Sequence, residues 1–174
     1  MARRLRSRST ASESGPADTA SEAAAQAEAC RFLARAPRSA AEVTAYLGAR
    51  GFASAAVAAA LHVLRDLRYI DDAALARRRA EELLVRRGCG RIRVAHELTR
   101  RGVAASVVDA AIAAIFADRN DAELAREALR RKFGERPPIT AAARARVFRF
   151  LTARGHPAEV VSEILGIEDH AERE

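Results

Sequence analysis

Seven arginines fall between positions 77 and 93: Arg77, Arg78 and Arg79, then Arg86 and Arg87, then Arg91 and Arg93. A guanidinium stays charged at any physiological pH and presents a planar fork of N–H donors that fits the paired oxygens of a phosphate or a carboxylate. The chemistry open to such a run is binding, to a phosphate backbone or to an acidic protein surface, without base readout. A helix over 72–87 puts Arg79 and Arg86 on one flank, seven positions apart. The competing account is a solvated face: Glu82 lies three residues after Arg79 and four before Arg86 and can pair with both. The two loop arginines tilt the balance toward binding, so these seven residues are the candidate contact surface.

Other residues with chemical capacity are poorly arranged for it. Gly88-x-Gly90 lacks a third glycine, a Lys-Ser/Thr pair and a preceding strand, which rejects a nucleotide-phosphate loop; a flexible joint that lets backbone and Arg91 approach a partner is expected. Cys89, in that basic loop, could have a lowered thiol pKa, although an incidental small residue is the simpler account. Asp71-Asp72 at a helix start reads as capping rather than as paired catalytic carboxylates. His96-Glu97 is followed by Arg100 where a zinc-protease helix needs a second histidine. His62, His156 and His170 have no partners at ligand spacing, and no nucleophile–base set is visible. The expectation is a protein that is not an enzyme and uses no cofactor or metal.

The elements that hold these residues come in a repeat. Leu47-x-x-Arg50-Gly51-Phe52, Leu98-x-x-Arg101-Gly102-Val103 and Leu151-x-x-Arg154-Gly155-His156 share one pattern, at shifts of 51 and then 53 residues. Each window closes one helix at Arg-Gly and opens another soon after. Ser39-x-x-Glu42 is a capping box, and Asp121-x-x-Leu124-Ala125 echoes Asp72-x-x-Leu75-Ala76. The spacing predicts helices over about 25–35, 54–67, 72–87 and 105–116, a second running from the capping box to Ala49, a fifth through Ile92, Ala95 and Leu98 that ends at Gly102, a seventh opened at Asp121 and ended by Gly134, an eighth holding Val147, Phe150 and Leu151, and a ninth that starts near Pro157 and carries Ile164 and Leu165. The fold expected is all-α, an elongated, curved array of three tandem three-helix repeats at 24–69, 70–117 and 118–168. Residues 1–23 read as a disordered basic and polar extension, 169–174 as a charged tail, and Pro137-Pro138 as a stop after the seventh helix. Arg50, Arg101 and Arg154 recur before each turn glycine, where a cation suits a helix C-terminus; the bolder alternative makes them basic teeth along the array.

Composition sets the outer limits. The net charge is +7 over 174 residues, with 29 arginines and Lys132 as the one lysine. That balance favours a polyanionic partner. No apolar run reaches the ~18 residues of a membrane span, and the arginines near the N-terminus lack the apolar segment of a secretory signal. Cys30 and Cys89 lack metal-ligand spacing and fit reduced thiols in a cytoplasmic protein.

The residues that carry a resemblance are Leu67-Arg68-Tyr69-Ile70-Asp71-Asp72-x-x-Leu75-Ala76 and Gly90-x-x-Arg93-Val94-x-x-Glu97-Leu98-x-x-Arg101-Gly102-Val103, supported by Arg38-Ser39-x-x-Glu42 and Phe150-Leu151-x-x-Arg154-Gly155. Together these resemble the RecX family of regulators of the RecA recombinase over about 25–167, with Ile70, Leu75 and His156 departing from the usual pattern. The resemblance implies a monomer that binds RecA, lies in the groove of the RecA–DNA filament and inhibits its ATPase, strand-exchange and co-protease activities. It also implies weak binding of single- or double-stranded DNA, without sequence preference. A helix-turn-helix DNA-binding regulator is the alternative, and a helical adaptor for an unrelated acidic protein a third.

Overall fold

The computed structural model describes residues 16–135 and 140–167. Among the described residues there are nine α-helices and no strand: α1 Pro16–Leu33, α2 Ala40–Ala49, α3 Ser54–Asp66, α4 Asp72–Arg87, α5 Arg91–Arg100, α6 Ala105–Phe116, α7 Asp121–Phe133, α8 Ala141–Ala153 and α9 Ala158–Leu165. They group by threes, as the repeat requires. The basic stretch before Pro16, Pro137-Pro138 and the charged tail lie outside the described residues.

Two compact units are distinguished. Of the described residues, the first contains 16–36 together with Val43–Tyr69. Within it α1 packs on α3, burying Ala25 and Ala29 with Val57, Leu61 and Leu64. Phe32 stacks on Tyr46 with ring centroids 3.9 Å apart. The Tyr46 hydroxyl donates to Glu28, 2.7 Å away, and the Arg50 guanidinium lies over the Tyr46 ring. Helix α1 starts at Pro16, well before the expected position near 25. Residues 16–24 show no apolar stripe, but proline suits a first helical turn and the alanine-rich stretch after it has high intrinsic propensity.

Of the described residues, the second unit contains Pro37–Glu42, 70–135 and 140–167. Helix α4 packs on α5 and α6, and α7, α8 and α9 pack on one another. One core joins Leu75, Leu83 and Leu84 of α4 to Val94 and Leu98 of α5 and to Val108 and Phe116 of α6. A second joins Ala125 and Ala128 to Val147, Leu151, Val161 and Leu165. Leu98 and Leu151 are fully buried; truncating either to alanine removes about 2–5 kcal/mol. The turn glycines Gly102 and Gly155 take φ of 71° and 81°, conformations that cost a side chain dearly. Pro157 is the N-cap of α9 rather than its first residue.

Candidate functional site

Helix α4 is fixed at both ends. Asp71 accepts from the Ala74 N–H at 2.9 Å, which confirms capping, and Gly88 closes the helix in the left-handed region. Burial of Leu75, Ala76, Ala80, Leu83 and Leu84 on one stripe turns Arg77, Arg78, Arg86 and Arg87 outward, where all four are exposed. Arg79 lies at the edge of that stripe. It donates to Glu82 at 2.9 Å and across to Glu97 of α5 at 3.1 Å. The Glu82 bond and then the Glu97 bond raise the Arg79 pKa against the pull of burial. Burial of Glu97 works to raise its own pKa, but the bonds from Arg100 and Arg79 outweigh it and hold the carboxyl below its ordinary range. Arg79 is therefore a strut between α4 and α5.

The loop after α4 is clamped, not flexible. The Gly90 N–H donates to the Arg154 carbonyl at 2.9 Å, and the Ile92 N–H to the Gly155 carbonyl at 3.2 Å. His156 reaches the Gly88 carbonyl through Nε2 at 3.1 Å. A Cβ on Gly90 would sit 2.3 Å from the Gly155 oxygen. The two glycines thus allow the loop to lie flush on the turn between α8 and α9, and the backbone that approaches Gly90 belongs to the chain itself. Arg91 is committed to the chain itself: it pairs with Asp121 at 2.9 Å and covers the Phe116 ring. Cys89 is buried, and that burial pushes its thiol pKa up despite Arg154 and Arg93 nearby, so it is not an activated thiol.

What remains open is a basin of about 600 Å³ between α4, α5 and the end of α8. Arg79, Arg86, Arg87, Arg93, Arg100 and Arg154 line it, with Glu97 as its carboxylate. Glu97 is already committed to Arg79 and Arg100. Among the described residues Arg86, Arg87, Arg93 and Arg154 have no ion-pair partner; Arg154 lies over the Phe150 ring. Of the seven arginines singled out in the sequence, four meet here. Arg77 and Arg78 do not; Arg78 borders a separate shallow hollow beside Glu81, Glu82 and Val85. Arg100 and Arg154 join the basin without having been foreseen as site residues. The recurrence of arginine before each turn glycine is the signal that pointed to Arg154.

That recurrence has three outcomes. Arg50 pairs with Glu28 and covers Tyr46. Arg101 pairs with Glu42 at 2.6 Å. Arg154 finds no carboxylate among the described residues.

Comparison with known proteins places this architecture. Family models described as the first, second and third three-helix domains of RecX match residues 25–64, 71–112 and 120–165. The regulatory protein RecX of Leptothrix cholodnii is 36% identical over 148 residues, covering 83% of this chain and 80% of that protein. The chain belongs to the RecX family. Regulatory protein RecX of Mycobacterium sp. (strain KMS) is 32% identical over 170 residues, 94% of this chain and 93% of the relative. The crystal structure of RecX from Lactobacillus salivarius superposes with a TM-score of 0.67 at 15% identity, covering 85% of this chain and 96% of that one. A second crystal structure of regulatory protein RecX gives the same TM-score at 22% identity.

The guanidinium groups of the basin present the N–H donors that fit the paired oxygens of an anion. Among the described residues no group of three His, Cys, Asp or Glu is placed to hold a metal ion. No described helix is long and apolar enough to cross a membrane.

Proposed function

We propose that this RecX-family protein binds the RecA recombinase and the groove of the RecA–DNA filament. There it lowers ATPase, strand-exchange and co-protease activity, and so modulates recombinational repair and the SOS response in the cytoplasm. The observation that carries the reading is the basin between α4, α5 and the end of α8, where Arg86, Arg87, Arg93 and Arg154 lie on one lining without an ion-pair partner among the described residues. A hollow lined by six arginines and one carboxylate attracts a polyanion, and a DNA-bearing filament groove is one. Contact with the strand is weak and indifferent to sequence, because arginine–phosphate bonds carry no base information. The protein acts as a monomer, with 24–69, 70–117 and 118–168 as its repeats and Arg77 and Arg78 extending the basic surface along α4.

The test is the triple variant Arg86→Ala, Arg87→Ala, Arg93→Ala in a RecA ATPase assay stimulated by single-stranded DNA. The helical circular dichroism and melting temperature should hold. The concentration for half-inhibition should rise by at least about tenfold, as the removal of three arginine–phosphate bonds implies. Unchanged inhibition removes the basin from the mechanism.

A further inference from the structure

The junction that Gly90 makes with Arg154 has a counterpart one repeat earlier. Shifting Ser39 and Glu42 by 51 positions gives Gly90 and Arg93, and shifting Arg101 by 53 gives Arg154. The first junction is chemically complete. The Ser39 hydroxyl donates to the Arg101 carbonyl at 2.6 Å and accepts from the Glu42 N–H at 3.1 Å. Glu42 receives the Ser39 N–H at 2.8 Å and the Arg101 guanidinium at 2.6 Å. The helix start is capped and the arginine is neutralised by the same carboxylate.

The second junction docks through backbone instead, with the Gly90 N–H on the Arg154 carbonyl where the first uses the Ser39 hydroxyl on the Arg101 carbonyl, and it discards the charge balance. Gly90 N-caps α5 without a side-chain cap. Arg93 stands where Glu42 would be, its backbone hard against Gly155, and Arg154 borders the same basin. Two guanidinium groups therefore border one basin where the sister junction holds an arginine–carboxylate pair. Arg87 of α4 lines the same hollow, while Glu97 is taken by Arg79 and Arg100.

We infer that the basin beside this second junction holds a phosphate-binding subsite, in which an oxyanion bridges Arg93 and Arg154 and supplies the negative charge that Glu42 supplies to Arg101 in the first repeat. A phosphate suits the place better than a lone carboxylate, since it offers several oxygens to guanidinium groups approaching from two helices. The inference rests on the functional reading above in that a strand phosphate would be its natural occupant, but the subsite is defined by chemistry that needs no recombinase.

The test uses inorganic phosphate and the full chain, at ionic strength held constant with chloride. Wild-type protein should show a saturable rise in melting temperature with phosphate. Arg93→Glu rebuilds the pairing of the first junction, so it should melt at or above the wild-type temperature in chloride and lose at least about tenfold in phosphate affinity. Arg93→Gln, which removes the charge without adding a carboxylate, should lose phosphate affinity as well. A short oligothymidine followed by fluorescence anisotropy separates the sources: weakened binding in both variants marks a strand phosphate, and an unchanged oligonucleotide affinity beside a lost phosphate response marks a free anion. No phosphate-specific shift in the wild type, an undiminished shift in Arg93→Glu, or binding of polyglutamate in preference to phosphate would each overturn the subsite. Because RecA is absent from these titrations, their failure leaves the RecA reading standing. A wild-type RecA-inhibition profile for Arg93→Glu would instead count against the basin's role in inhibition alone.

Discussion

Arg101 clasps Glu42 with both arms of its fork, Nε to Oε1 at 3.1 Å and Nη2 to Oε2 at 2.6 Å, while Nη2 also donates to the Pro37 carbonyl at 3.0 Å. These residues are 59 apart in sequence, so the clasp ties the start of α2 to the turn between α5 and α6. Burial of Glu42 works to raise its pKa, but the bonds from Arg101 and the Ser39 N–H prevail and lower it. A lowered folded pKa means that the stabilisation is complete above the ordinary carboxylate value of 4.5 and disappears as pH falls through the folded value. Glu42→Gln should cost about 1.5–3 kcal/mol at pH 7, the range for a charged hydrogen bond, and progressively less as pH drops below the wild-type transition. A double-mutant cycle with Arg101→Ala, read by urea denaturation, measures the coupling; additive losses would show that the clasp contributes nothing.

His156 works in the opposite sense. Its Nε2 must donate, since the Gly88 carbonyl can only accept, and Nδ1 is then buried without a partner. Burial lowers the pKa from 6.5; the Gly88 bond and the Asp121 carboxylate oppose this, and Arg154 reinforces it. Protonation therefore favours the unfolded chain. Stability should be flat above about pH 7 and fall as pH passes down through 6.5 toward the folded value. In His156→Phe this slope should vanish between pH 7 and 5.5, which a series of thermal melts will show; the same slope in wild type and variant would assign it elsewhere.

Gly90 is constrained by its neighbour rather than by its backbone angles. Its φ of −78° is open to any residue, yet an added methyl would sit 2.3 Å from the Gly155 oxygen. Gly90→Ala should destabilise by about 1–3 kcal/mol, as overpacking does. Gly48→Ala, at a helical glycine with nothing near its Cβ, should be neutral or slightly stabilising. Chemical denaturation of the two variants side by side separates a packed junction from a general glycine effect.

Local chemistry sets the bounds of α4, which made them legible in the sequence: the Asp71 cap, the left-handed Gly88 and an unbroken apolar stripe. The start of α1 was not legible, because residues 16–24 have helix propensity without an apolar face. The basic character of 77–93 was plain, but its division was hidden. Arg79 finds Glu97 eighteen residues on and Arg91 finds Asp121 thirty residues on, pairings that exist only once the helices dock. Arg154 comes into the basin from a different repeat, and only the register of the repeats hints at it.

That division of the arginines yields the sharpest separation of roles. Arg79 braces α4 on α5, with its side chain 22% exposed, so Arg79→Ala should lower the melting temperature by leaving Glu97 with less to neutralise it. Arg86 and Arg87 leave the last turn of α4 exposed and unpaired among the described residues, near helix carbonyls that a cation stabilises only slightly. Arg86→Ala with Arg87→Ala should therefore change the melting temperature little. On single-stranded DNA the double variant should flatten the slope of log affinity against log salt by about 0.7 for each phosphate that is no longer neutralised. Arg79→Ala should leave that slope close to wild type. If instead the slope changes with Arg79 and not with Arg86 and Arg87, the strand runs over the α4–α5 strut, and the open arginines of the last turn are solvated surface.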